Sequence, residues 1–190
     1  TGAKRIAIDA ETRDPSIGNG LGSGSLRDGY TVGWAFAIDG GPKHYLPFRH
    51  EGGDNLPIEE VMAYLRGNIK HFDGEFVGAN LAYDVDYGYN DGFKWHTDVK
   101  FRDVQIAAPL INELEFSFSL DNIGKRLGIE AKDDRVLREG AESLGLDPKA
   151  GLWRLPARYV GDYGERDVAS PLEILAKQEK MINEMGLQEI

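Results

Sequence analysis

The chain has 190 residues, 41% of them hydrophobic and 28% charged, and no cysteine. That length and composition suit one globular domain with a sizeable core and exclude a disordered chain, while the missing cysteine excludes a disulfide framework, a thiolate nucleophile and a thiolate zinc site. With 22 Lys and Arg against 32 Asp and Glu, the net charge is −10; charge alone argues against tight binding to a polyphosphate, so any nucleic acid it handles must be met through cations.

No apolar run approaches the roughly 20 residues of a membrane span, and no charged-then-apolar signal region opens the chain. A soluble, intracellular protein without a membrane partner is expected. Arg5-Ile6-Ala7-Ile8-Asp9, Thr31 to Ile38 and His44 to Phe48 read as three sequential strands. The Gly- and Ser-rich stretch from Asp14 to Gly29 has no G-x-G-x-x-G spacing and no closing Lys-Ser or Lys-Thr, so it reads as a flexible loop rather than a nucleotide cradle.

Ile58, Val61, Met62, Leu65, Ile69 and Phe72 fall on one face of a helix that follows Pro57 and carries Glu59 and Glu60 in its first turn. Phe76 to Asn80 reads as a fourth strand leading into a helix from about Ala82. Phe101-Arg102-Asp103 leads into a helical segment kinked at Pro109, and Ser119 to Leu127 and Asp133 to Leu144 read as further helices. Ala157 to Met185 is expected to form two helices or one bent one, because Pro171 interrupts it. Strands early and helices late predict an α/β domain on a mixed sheet.

Three acidic signatures stand in order: Asp9-Ala10-Glu11, Asn80-Leu81-Ala82-Tyr83-Asp84 and Tyr163-Gly164-Glu165-Arg166-Asp167. Residues two apart in a strand face one side, so Asp9 and Glu11 can address one cation. Tyr163 and Asp167, four apart in a helix, share a face; Tyr159 has Tyr163 four residues on and cannot make such a pair. Four carboxylates brought together repel one another unless divalent cations neutralise them, and an all-oxygen set suits two Mg²⁺ or Mn²⁺ ions. Two such ions about 4 Å apart clamp the attacking and leaving oxygens of an in-line phosphoryl displacement. Gly161 and Gly164 each cost about 1 kcal/mol in a helix, which points to a close approach there. Asp86 is expected at the surface. His44, His50, His71 and His96 are expected to be structural or exposed, and Trp34, Trp95 and Trp153 to serve the core. Solvated surface is the default for Arg135, Arg138, Arg154, Arg158 and Arg166, with contact to DNA phosphates the alternative.

On these motifs the chain resembles the DEDD 3′-to-5′ exonucleases, in particular the proofreading domain of family-A DNA polymerases such as the Klenow fragment, of phage type. That family's D-x-E, N-x2-Y-D and Y-x3-D motifs stand here as Asp9/Glu11, Asn80/Tyr83/Asp84 and Tyr163/Asp167. Tyr163 marks the DEDDy branch, since Asp162 stands where the other branch has His. The likeness extends through Phe101-Arg102-Asp103, Ser119-Leu120-Asp121-Asn122-Ile123 and Gly186-Leu187-Gln188-Glu189-Ile190. It implies a ribonuclease H-like mixed β-sheet flanked by helices, with residues 1–190 forming a single exonuclease domain of a longer DNA polymerase, in the cytoplasm or in the host's cytoplasm if phage-encoded.

The resemblance further implies that Asp9 bridges two ions, that Glu11 and Asp167 hold the ion carrying the attacking water, and that Asp84 anchors the second ion mostly through water. Tyr163 would orient that water, since a phenol with a pKa of about 10 is a poor base at neutral pH. Asn80 is read as an organiser of the site rather than a ligand, with Tyr83 and Thr12 behind the ligands or against the substrate. The implied partners are a single-stranded or frayed DNA 3′ end and the polymerase region of the same parent chain. Family members usually carry an apolar wedge just after the first motif; here Arg13-Asp14-Pro15-Ser16-Ile17 follows Thr12, which leaves Pro15 or Ile17 for that task. The alternatives are an RNA-trimming or repair exonuclease of the same branch, and a catalytically silent exonuclease-like structural or DNA-binding module. The silent module would be marked by a substitution among the four acids, and none is substituted.

Overall fold

Alternation along the first strand sets the layers. In the computed structural model, which describes residues 2–129 and 134–187, β1 (Arg5–Arg13) is the middle strand of a five-stranded sheet ordered β3-β2-β1-β4-β5. Its antiparallel neighbour β2 (Tyr30–Ile38) pairs in turn with antiparallel β3 (Lys43–Pro47). On the other side β4 (Glu75–Gly78) and β5 (Lys100–Asp103) run parallel to β1. The mixed sheet is therefore as expected, while β5 is a strand where the sequence suggested only a lead into a helix.

Ile8, Trp34 and Phe76 point to one face and pack with the helix α2 (Ile58–Ile69), through Val61, Met62, Leu65 and Ile69, and with Tyr87 of α3 (Leu81–Asn90). Their neighbours Ala7, Ala35, Ala37 and Val77 point to the other face. There they meet Val104 and Ala108 of α4 (Val104–Ile111), Ile123 of α5 (Leu120–Arg126), and Val168, Ile174 and Leu175 of α7 (Gly161–Met185). The large residues thus line one face and the small ones the other, so α7 can lie close against β1 and β2. Between β1 and β2 a four-residue helix, α1 (Pro15–Gly18), interrupts the loop. A further helix, α6 (Arg135–Ser143), and two short 3₁₀ turns, Leu152–Arg154 and Ala157–Tyr159, lead into α7.

α7 runs unbroken through Pro171, so of the two forms expected the pair of helices is excluded and a single helix stands. A proline inside a helix costs about 3 kcal/mol. Burying Val168, Ile174 and Leu175, which are at most 2% exposed, contributes about 1.5–3 kcal/mol for each side chain. Packing on the sheet wins. Of the helix expected over Asp133 to Leu144, α6 accounts for the greater part, while Asp133 lies outside the described residues, as do Gln188, Glu189 and Ile190 of the closing motif. No helix among the described residues is long and apolar enough to cross a membrane.

Candidate active site

Asp9 and Glu11 follow Ala7 at period two and so emerge on the α7 face of the sheet. Across the ladder Asp9 pairs with Ala35 and Glu11 with Gly33. These small partners leave room for α7, whose Asp167 arrives on the same side. Asp9, Glu11 and Asp167 each bring a carboxylate oxygen within 4.8 Å of the other two. Asp167 is 8% exposed and Glu11 9%, while Asp9 is half-buried and keeps the oxygen cluster open to solvent.

Asp84 joins from below. Asn80, at φ 61°, turns the chain sharply between β4 and α3 in the left-handed region that non-glycine residues seldom occupy. One turn on, the buried Asp84 accepts a 2.8 Å hydrogen bond from the backbone N–H of Ala10, midway between the two β1 acids. Burial, then the negative charge of Asp9, push its carboxyl well above the usual range; the Ala10 bond opposes them. Asn80 itself is exposed and makes no side-chain cap, so its contribution lies in the backbone turn. The capping falls to Asp103 instead, which accepts from Leu81 N–H and Gln105 N–H, both at 2.8 Å, and so ties the starts of α3 and α4 to β5.

Tyr163 stands one turn before Asp167 on α7. Burial first, then the charges of Asp167, Glu11 and Asp9 and a hydrogen bond to Asp167, raise its phenol far above the usual value. It stays protonated at neutral pH and can only donate or orient. Thr12 and Tyr83 meet each other rather than the carboxylates, with their hydroxyls 2.7 Å apart. Tyr83 also reaches Asp14 at 3.1 Å and is pushed up to about 12, chiefly by burial.

The loop after β1 is more organised than its composition suggests. Asp14 accepts from Ser16 N–H at 2.9 Å, Gly24 N–H at 2.8 Å and the Tyr87 hydroxyl at 2.7 Å. Ser25 donates to Asp86 at 2.8 Å, so Asp86 is a partly buried anchor for this loop and not the surface residue expected. Of the two wedge candidates, Ile17 is 52% exposed.

Two residues of this neighbourhood carry no sequence motif. The Tyr45 ring packs between Gly33 of β2 and Gly164 of α7, and its phenol is raised by burial and by Glu11 and Asp9. The Tyr45 hydroxyl lies 2.5 Å from Nε2 of the buried His50. Gly164 is thus the close approach its helical position pointed to, whereas a side chain at Gly161 would meet open space. A Cβ at Gly33 would collide with the Tyr45 ring, while one at Gly164 would stand 3.0 Å from Cδ2. Gly33→Ala is therefore expected to cost about 1–3 kcal/mol in urea unfolding. Gly164→Ala should be near neutral, because the helix propensity of Ala recovers up to about 1 kcal/mol.

Burial pulls His50 down to about 4. A His held neutral in the fold contributes stability that is full above its unfolded pKa of about 6.5 and is lost as pH falls toward the folded value. Between pH 7 and 4 wild type should lose up to about 3 kcal/mol relative to His50→Gln, read as converging urea midpoints.

No family model matches the chain. Over 187 residues, 98% of this chain, it is 51% identical to a DNA-directed DNA polymerase of Pseudomonas phage M6. The chain is homologous to one segment of a phage DNA polymerase. It spans 28% of that relative's length. Among solved structures, Brucella melitensis NrnC bound to pGG aligns over 99% of this chain and 78% of its own, with a TM-score of 0.64 at 14% identity. The same protein with bound Mg²⁺ gives a TM-score of 0.59. The family B DNA polymerase of the archaeon Pyrobaculum calidifontis aligns over 96% of this chain and 25% of its own, with a TM-score of 0.58 at 18% identity. At such identities the likeness is one of fold. That fold is ribonuclease H-like, with a mixed sheet flanked by helices.

Proposed function

We propose that this polymerase-related segment is a two-metal-ion 3′-to-5′ exonuclease that removes nucleotides from DNA ends, as the proofreading part of a DNA polymerase acting in the host cytoplasm. The observation that carries the reading is the meeting of Asp9, Glu11 and Asp167 within 4.8 Å, beside Asp84. An all-carboxylate set of this size suits hard divalent cations, Mg²⁺ or Mn²⁺, and suits few other ligands. Such ions, when bound, neutralise the cluster and acidify water for attack on a phosphodiester.

The protein's own contribution is positional. Asp9, Glu11 and Asp167 would hold one ion and Asp9 with Asp84 the second. β1 presents the first two acids from a rigid central strand, and α7 and α3 bring the others to either side of it. Tyr163, protonated and bonded to Asp167, would orient the attacking water and would not take its proton. Asn80 shapes the turn before Asp84, and the Thr12–Tyr83 contact fixes the end of β1 where a strand's last bases would lie. Ile17, exposed on α1, is the candidate to separate those bases.

The experiment is to incubate the chain with 5′-labelled DNA and RNA oligomers, with Mg²⁺, with Mn²⁺ and with chelator. A ladder shortening from the 3′ end of DNA, lost in chelator, is the expected result. A ladder confined to RNA would transfer the reading to the RNA-trimming alternative, and no cleavage with either ion would leave only a silent module.

A further inference from the structure

A pocket of about 190 Å³ opens beside the carboxylates, between α5, α6 and α7. Its walls include Tyr163 and Ser170, which with Asp167 occupy positions i, i+4 and i+7 of α7 and so form one stripe along that helix. The pocket and the acid cluster are therefore adjoining stations on one helical face. Its other walls bring cations from three separate segments: Lys125 of α5, Arg138 of α6, and Lys149 ahead of the first 3₁₀ turn.

The charges there are not all spoken for. Arg138 pairs with Asp134 at 2.7 Å, and Asp121 also faces the pocket. The carboxylate of nearby Asp147 is turned onto the backbone N–H groups of Lys149 and Ala150, at 2.9 and 2.7 Å. Among the described residues neither the Lys125 nor the Lys149 ammonium forms an ion pair, and both side chains are exposed. A chain of net charge −10 has thus placed two ammonium groups that make no ion pair in a pocket walled by Tyr163, and of the two Lys149 feels only the outlying charge of Asp147.

We propose that this pocket is a phosphate-binding subsite, which takes a backbone phosphodiester of the strand one or more nucleotides upstream of the bond to be cut. The proposal rests on the exonuclease reading above. A strand led toward four carboxylates is repelled by them over about a Debye length of 8–10 Å, and cations outside the metal site offset that repulsion without competing for the ions. Lysine suits the task because a flexible point charge accepts a phosphate in any rotation and reads no base. The pocket, about 190 Å³ and open to solvent, has room for a phosphodiester group.

The test compares wild type with the double variant Lys125→Gln/Lys149→Gln on two substrates. One is a single-stranded DNA oligomer; the other is thymidine 5′-(p-nitrophenyl phosphate), which has a scissile phosphodiester and no upstream phosphate. Both lysines are exposed, so the variant should fold as wild type does. On the oligomer KM should rise about 10-fold with kcat little changed, and the slope of log affinity against log salt should flatten by about 0.7 for each phosphate that is no longer neutralised. On the ester kcat/KM should not change. An unaltered KM and salt slope on the oligomer would overturn the subsite, as would equal losses on both substrates, which would put the lysines at the cleaved bond. If wild type cleaves neither substrate, the exonuclease reading fails by itself. The subsite is then judged by fluorescence anisotropy of a labelled oligomer, where unchanged affinity of the double variant overturns it and weakened, less salt-dependent binding supports it.

Discussion

Asp9→Ala should lose at least about 10³-fold in cleavage rate, more than loss of a single positioned hydrogen-bond donor costs, while the metal-free protein melts at the same temperature or higher. Asp9 is the acid with most to remove: it belongs to the trio within 4.8 Å and its charge also bears on Asp84. Its loss withdraws a ligand from both proposed ions. In their absence it also relieves repulsion inside a cluster where burial already holds Asp84 well above the ordinary carboxylate range. A mutation that abolishes activity yet spares or raises stability is the mark of a functional residue held at a cost to the fold. Single-turnover rates and thermal melts in chelator measure the two halves; a variant turning over like wild type would remove Asp9 from the site.

The second large effect is a contrast along one turn of α7. Tyr163→Phe should slow cleavage about 10²- to 10³-fold, by analogy with removal of one oriented donor, and leave metal affinity near that of wild type. Asp167→Ala should lower both rate and affinity, because it takes away a buried carboxylate and not a neutral hydroxyl. Tyr163 is raised by the same three acids that are to hold the ions, so its hydroxyl lies within their field without belonging to the ligand set. Metal titrations paired with single-turnover rates separate the two variants. Equal loss of metal affinity in both would show Tyr163 to be a ligand.

Much of this geometry was legible because it is local. Period two alone puts Asp9 and Glu11 on one side of β1, and four-residue spacing alone puts Tyr163 and Asp167 on one side of α7. That these faces meet depends on Ala7, Gly33, Ala35 and Ala37, small residues that read from the sequence as nothing more than strand interior. Tyr45 and His50 were invisible for a related reason. Their relation to the site exists only after β3 has folded against β2 and α7, and the trace Tyr45 leaves is the pair of glycines at 33 and 164.

The misses have physical causes too. β5 carries no alternation long enough to identify an edge strand, because three of its four residues are charged and two are exposed. Pro171 left two helices or one bent one open, and the buried residues around it hold a single helix on the sheet against the cost of one missing hydrogen bond. The stretch after β1 read as loose because its composition is Gly and Ser. What orders it is a single acid, Asp14, whose Oδ1 accepts from Ser16 N–H and whose Oδ2 accepts from Gly24 N–H and from two tyrosines of α3.

The most direct test is a calorimetric titration of Mn²⁺ into wild type and into Asp9→Ala, each with a 3′-phosphorothioate DNA strand bound to slow cleavage. Two ions per wild-type chain, and neither retained at comparable affinity in Asp9→Ala, is the result predicted. Two ions bound equally well by the variant, or none bound by wild type, would contradict the assignment of Asp9, Glu11, Asp84 and Asp167 as a two-metal catalytic centre.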